Sequence, residues 1–167
     1  MRWSKLKQII ESGFAPSVSG RVRVDVTRYR QAHDAEGRWA FVIDGQEVAG
    51  LGCIVADQEE SKLIDRVVAD SGLSPGRAQP QADVILRTRA HHTLPMFTSA
   101  LFQFTNMSID LALKSADPVV RALAALDRRL GRRRLLRLAE RYPETDIERQ
   151  CLLIRLHSEN IEARWER

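Results

Sequence analysis

Eight arginines lie within residues 118–141, together with Asp127 and Glu140, so this segment has a net charge of +6 against +4 for the whole chain. Guanidinium groups are planar forks that fit phosphate and carboxylate oxygens. A basic cluster of this kind is also the electrostatic feature that nucleic-acid binding requires. The candidate binding residues are Arg128, Arg129, Arg132, Arg133, Arg134, Arg137 and Arg141.

The same arginines also suit a solvated helix face or a surface that meets a protein. Leucines take the inward positions between them, and arginine is a good helix former. Residues 44–73 carry seven acidic residues against Lys62 and Arg66. This acidic part of the chain can face the basic part, within one molecule or between two copies. We therefore place a protein partner or a homo-oligomer ahead of nucleic acid, which stays as the alternative.

A second candidate site is the pair His33-Asp34 in a polar loop. It can act as a general base with its orienting carboxylate, or as two metal ligands. Adjacent side chains on a tight loop diverge, however, and no nucleophile motif accompanies them, which favours an exposed turn. The pair His91-His92 lacks a further ligand three or four residues away, as zinc sites usually have. We predict no metal and no cofactor, and place a small hydrolase or transferase third.

The N-terminal third predicts a helix over 4–12 and then three antiparallel strands. Apolar and polar residues alternate after Gly20 and again after Arg38, which is typical of half-buried strands. Asp44-Gly45 supplies the two positions with positive φ that a two-residue hairpin requires. The inward residues of the first two strands are Val22, Val24, Val26, Trp39, Phe41 and Ile43.

The remainder predicts helices that cover this meander. Capping residues and apolar spacing place them at 57–71, 81–90 with Val84 and Ile85 inward, 96–107, 108–113, 118–130, 132–141 and from the capping box Thr145–Glu148 onward. The stretch 74–81 contains two prolines and predicts a surface loop. The helix after Asp117-Pro118 has one buried row, formed by Val119, Leu123, Leu126 and Leu130. The whole predicts one α+β domain, 1–167, sheet-rich over 14–56 and helical over 57–160.

Several of these segments together resemble a family of small bacterial proteins of unknown function. The segments are Arg2-Trp-Ser-Lys-Leu-Lys7, Thr27-x-Tyr-Arg30, Ile43-Asp-Gly45, Ser108-Ile-Asp, Asp117-Pro-Val-Val-Arg-Ala-Leu-Ala124 and Leu126-Asp-Arg-Arg-Leu-Gly131. The likeness runs to about Leu138, and the region 51–80 departs from the pattern. The resemblance implies a bacterial cytosolic protein and assigns no reaction or ligand.

The chain has no apolar run near the roughly 20 residues that cross a bilayer, and its N-terminus lacks a signal-peptide core. We therefore expect no membrane partner and a cytoplasmic location. Cys53 and Cys151 lie far apart in sequence, which favours buried thiols over a disulfide. The function that these observations favour is a non-catalytic interaction module, which uses a sheet edge or the arginine face.

Overall fold

The structure, a computed structural model, describes residues 1–28, 37–141 and 143–166. Its α-helices are α1 Trp3–Ser12, α2 Cys53–Ser71, α3 Pro75–Thr88, α4 Leu94–Thr105, α5 Ile109–Ala112, α6 Pro118–Leu126, α7 Arg132–Leu138 and α8 Asp146–Ser158. Its strands are β1 Val22–Arg28, β2 Gly37–Ile43 and β3 Gln46–Gly52, and a 3-10 turn, Arg164–Glu166, follows α8. The predicted α+β class is confirmed.

The three strands form an antiparallel meander in the order β1-β2-β3, as predicted. Trp39 and Phe41 of the central strand are buried on the helical side, and the ring of Trp39 stacks on Phe97 of α4 at 4.4 Å between centroids. Asp44 and Gly45 both have positive φ, 50° and 82°, which the two-residue hairpin requires. The sheet is therefore packed on α4 by its apolar face.

Helix α6 lies at the centre of the protein, between α4 and α8. Eight of its nine residues are buried, Arg121 excepted. The predicted inner row is confirmed, since Val119, Leu123, Leu126 and Leu130 are all almost fully buried. The helix itself ends at Leu126, earlier than the apolar spacing predicts.

Tertiary pairing ends α6 early. The N–H of Ala15 donates to the carbonyl of Leu126 at 2.8 Å, and the N–H of Arg128 donates to Gly13 at 2.9 Å. These two bonds turn the chain after Leu126 into a short bridge with the segment that follows α1. Hydrogen bonds from a distant segment thus replace the next helical turn, which sequence spacing alone does not reveal.

Helix α3 corrects two predictions. The stretch 74–81 is not a loop, because Pro75 occupies the first helical position, where its missing N–H costs nothing. Pro80 lies inside the helix, where it cannot donate a backbone hydrogen bond, yet the helix continues to Thr88. Ala82 and Leu86 face inward because they pack with Leu63 of α2. Val84 lies on another side of the helix and is 61% exposed. The prediction that Val84 faces inward was wrong.

Helix α2 also begins earlier than predicted, at Cys53 directly after β3, so Asp57 does not cap it. Helices α2 and α3 pack mainly on each other and have a small apolar cluster of their own, formed by Leu63, Ala82, Leu86 and Met96. They form a helical hairpin beside the main core. Among the helices that the structure describes, none is long and apolar enough to cross a membrane.

Candidate interaction site

Four of the seven candidate arginines bond within the chain. Arg129 makes the most contacts: its Nη2 and Nε donate to the Asp127 carboxylate at 2.8 and 3.0 Å, and its Nη1 donates to the carbonyl of Met107 at 3.0 Å. The guanidinium also lies 5.4 Å from the ring centre of Phe104. The hydrogen bond with Asp127 raises the pKa of Arg129. This side chain is part of the fold.

The three others make single polar contacts at the surface. Arg132 donates to the carbonyl of Glu159 at 3.2 Å. Arg134 pairs with Asp110 of α5 at 3.0 Å, and Arg141 pairs with Glu144 at 3.1 Å. Exposed ion pairs of this kind contribute about 0–1 kcal/mol each. They orient α7 and the segment after it, and they occupy these guanidinium groups.

Two further arginines carry structural roles that the sequence analysis did not assign. Arg121 points out of α6 and meets the carboxylate of Glu148 with two hydrogen bonds, at 2.6 and 2.9 Å. The guanidinium of Arg121 also donates to the carboxylate of Glu144 at 2.9 Å and to the carbonyl of Ser115 at 2.6 Å. The bond with Glu148 raises the pKa of Arg121. Because Thr145 also donates to Glu148, the predicted capping box does not form at the start of α8.

The second arginine with a structural role is Arg155 of α8, which is only 4% exposed. Its guanidinium donates to the carbonyls of Leu126, Asp127 and Leu130, each at 3.2 Å, just where α6 has ended. Its Nε donates to Glu159 at 2.7 Å. A signal for this role was present in the sequence: Arg155 follows the inward residue Cys151 by four, so it lies on the buried side of α8.

Three of the candidate arginines stay free. No hydrogen bond or ion pair joins the guanidinium of Arg128, Arg133 or Arg137 to the described part of the chain. Arg133 and Arg137 are exposed and lie one turn apart on α7. Leu136, between them in sequence, is 46% exposed. We call these three neighbours, Arg133, Leu136 and Arg137, the α7 surface.

A groove adjoins the α7 surface. It is a cavity of about 500 Å³ between α7 and the segment after α8. Its apolar lining residues are Leu136, Ala139 and Ile161. The rest of its lining is polar or charged, namely Arg132, Glu140, Asn160, Glu162 and Arg164. Glu140 pairs with Arg164 at 3.1 Å. Leu136 is the exposed apolar side chain of this groove, and it lies beside the two free cations Arg133 and Arg137.

The acidic helix does not meet these arginines. No hydrogen bond or ion pair among the residues described connects the arginines of 118–141 with α2. The exposed charged residues of α2 are also mixed in sign, namely Asp57, Lys62, Asp65, Arg66 and Asp70. Within one molecule, the partners of the arginines are acidic residues of α5, of α8 and of the segments beside α6 and α8.

Three of the four histidines, His33, His91 and His92, were considered as candidate site residues. His33 and Asp34 lie outside the described residues, so their catalytic role stays a prediction. His91 and His92 point apart: Nδ1 of His91 bonds to Glu59 at 2.5 Å, whereas His92 is fully buried with its Nε2 2.8 Å from Asp117. Asp117 uses its other oxygen to cap α6, so the His92 pair is structural.

Two findings bear on chemistry. Among the described residues, no group of three or more His, Cys, Asp and Glu side chains is arranged to hold a metal ion. Neither cysteine forms a disulfide; Cys151 is buried and Cys53 is half-buried. Burial raises the pKa of the Cys151 thiol far above its ordinary value.

The fold and this surface define an α+β protein in which buried arginine contacts hold the core together and α7 leaves two cations beside an exposed leucine and a mostly polar groove. The chain belongs to the SF0329 protein family, whose family model matches residues 2–156. The match confirms the resemblance to an uncharacterised family, and it runs through 51–80, the region that departs from the expected pattern. No curated protein and no solved structure matches the chain.

Proposed function

We propose that this protein is a non-catalytic interaction protein that binds an acidic segment of a partner protein at the α7 surface. One observation carries the proposal: Arg133 and Arg137 have no partner among the described residues, although the neighbouring Arg132 and Arg134 are bonded. Charges on a folded surface are readily solvated, but here they flank Leu136, which is 46% exposed beside a groove. Arginine beside apolar surface is typical of the energetically dominant parts of protein interfaces.

Nucleic acid is favoured less. Its affinity grows with the number of phosphates that cations neutralise. Three of the seven candidate arginines, Arg129, Arg134 and Arg141, already pair with carboxylates of the same chain. The other four are Arg128, Arg132, Arg133 and Arg137, and Arg132 already donates to a backbone carbonyl. The exposed side chain of Leu136 at the same groove also suits a peptide better than a phosphate backbone.

A second copy of the chain is favoured less than a different protein. The chain is basic overall, with a net charge of +4, so two copies repel at long range. The outer edge of β1 is also partly closed, because the carboxylate of Glu11 accepts the N–H of Val24 at 2.9 Å. That bond occupies an edge donor that a strand from another molecule would need.

The test is an affinity capture from nuclease-treated cell extract with four forms of the protein: wild type, Arg133→Gln/Arg137→Gln, Leu136→Ser and Arg66→Gln. Arg66 is an exposed arginine of α2 and serves as the matched control. We expect one protein to bind wild type and Arg66→Gln in equal amounts and to be reduced at least tenfold by the other two. Equal capture by all four forms would refute the proposal, as would loss of every ligand after nuclease treatment.

A further inference from the structure

A second cavity, about 470 Å³ in volume, opens between the end of α3 and the start of α8. We call it the α3/α8 cavity. Its polar lining residues are Thr88, Arg89, His91, Glu144, Thr145, Asp146 and Arg149. It lies where the α2–α3 hairpin meets the main body, and none of its lining residues belongs to the α7 surface.

Two arginines in this cavity lack partners. No hydrogen bond or ion pair connects the guanidinium of Arg89 or Arg149 with the residues that the structure describes. Arg89 is exposed, whereas the Nε atom of Arg149 is buried and still has no acceptor. A buried donor without an acceptor lowers stability unless a bound group completes it. Nε of Arg149 is therefore an unsatisfied donor on a side chain that lines the cavity.

The other charges at the cavity leave a positive balance. Glu144 already pairs with Arg121 and Arg141, at 2.9 and 3.1 Å. Asp146 lies in the first turn of α8, where a carboxylate suits the helix dipole. With Glu144 paired, the cavity has one carboxylate without a partner among the described residues, that of Asp146, and two such guanidinium groups, those of Arg89 and Arg149.

The uncharged and titratable donors are engaged elsewhere. Nδ1 of His91 is hydrogen-bonded to the carboxylate of Glu59, outside the cavity lining. The hydroxyl of Thr145 donates to Glu148 at 2.9 Å, and that of Thr88 donates to Ile85 at 2.9 Å. Binding in the cavity thus depends on Arg89 and Arg149.

We propose that the α3/α8 cavity binds a small oxyanion ligand, one that carries a phosphate or a carboxylate group, between Arg89 and Arg149. Guanidinium groups match both anions with paired N–H donors. The volume falls in the range of small-molecule pockets. The ligand lies between the guanidinium groups of Arg89 and Arg149, which both line the cavity.

The test is thermal unfolding in inorganic phosphate and, separately, in succinate, each compared with sodium chloride at equal ionic strength. We expect one or both anions to raise the midpoint of wild type in a saturable way. Arg149→Gln and Arg89→Gln should each weaken the apparent affinity at least tenfold, while Arg66→Gln leaves it unchanged. Stabilisation by phosphate alone indicates a phosphorylated ligand, and stabilisation by succinate alone indicates a carboxylate.

Two results would overturn the proposal. One is the absence of any saturable shift in wild type with either anion. The other is a shift that persists undiminished in Arg149→Gln and Arg89→Gln. Since Arg89 is exposed, its variant tests the site even where Arg149→Gln lowers the midpoint in chloride.

Discussion

Replacement of Arg155 by Met removes four hydrogen bonds from the centre of the protein, while an unbranched apolar chain remains in place of the aliphatic part of Arg155. Three of these bonds close the carbonyls of Leu126, Asp127 and Leu130 where α6 ends, and the fourth meets Glu159. A hydrogen bond to a charged group contributes about 1.5–3 kcal/mol, but such contributions do not add within one network. The loss in the free energy of unfolding therefore depends on how many of these buried carbonyls are left without a hydrogen-bond partner.

The structure allows that number to be counted. The carbonyl of Leu126 keeps its bond from Ala15 at 2.8 Å, and that of Asp127 keeps its bond from the N–H of Leu130 at 3.0 Å. The carbonyl of Leu130 would have no other partner among the described residues. One orphaned carbonyl and the lost charged network together predict a loss of about 3 kcal/mol, the low end for a broken buried charge contact.

Urea unfolding followed by circular dichroism measures this loss. For a chain of this size, about 3 kcal/mol also lowers the thermal midpoint by about 6–12 °C. Arg155→Lys, which has fewer donors, should fall between wild type and Arg155→Met. Arg137→Met is the matched control because Arg137 is exposed, and it should stay within about 0.5 kcal/mol of wild type. If Arg155→Met unfolds within about 1 kcal/mol of wild type, the proposed role of Arg155 is wrong.

Two other predictions concern buried groups. Asp117→Ala removes the cap of α6 and leaves Nε2 of the buried His92 unpaired, so we expect a loss of about 2–4 kcal/mol in the free energy of urea unfolding; a loss below about 0.5 kcal/mol would contradict this. In native protein, Cys53 should react with a thiol reagent while Cys151 reacts only after unfolding, since burial raises the pKa of its thiol and blocks access. Release of two equivalents from folded protein would refute that assignment.

The sequence predicted most of the core because local periodicity and tertiary burial agree there. Alternation in β1 and β2, the spacing of Phe97 and Phe104 in α4, and the cap at Asp117 each have one interpretation. The start of α3 could not be predicted in the same way. Two prolines five residues apart are typical of a loop. Only the position of Pro75 in the first turn makes them compatible with a helix.

For the candidate site, the sequence predicted the group of arginines but not which of them are free to bind a partner. Sequence spacing identifies the arginines of 118–141 as outward-facing, yet it gives no means of separating bonded from free ones. The partners of Arg129 and Arg134 lie 2 and 24 residues away, at Asp127 and Asp110. The pair of Arg134 with Asp110 depends on how α7 meets α5. For Arg155 the spacing from Cys151 indicated the buried side of α8, but not the carbonyls that it meets there.

Photo-crosslinking in living cells tests the central claim most directly. A photoreactive amino acid replaces Leu136 in one strain and Val84 in another; both side chains are exposed, at 46% and 61%, but Val84 lies on α3. We predict a discrete adduct from position 136 that protease removes and nuclease does not, with no such adduct from position 84. A nuclease-sensitive adduct at position 136, or the same pattern at both positions, would contradict a protein-binding α7 surface.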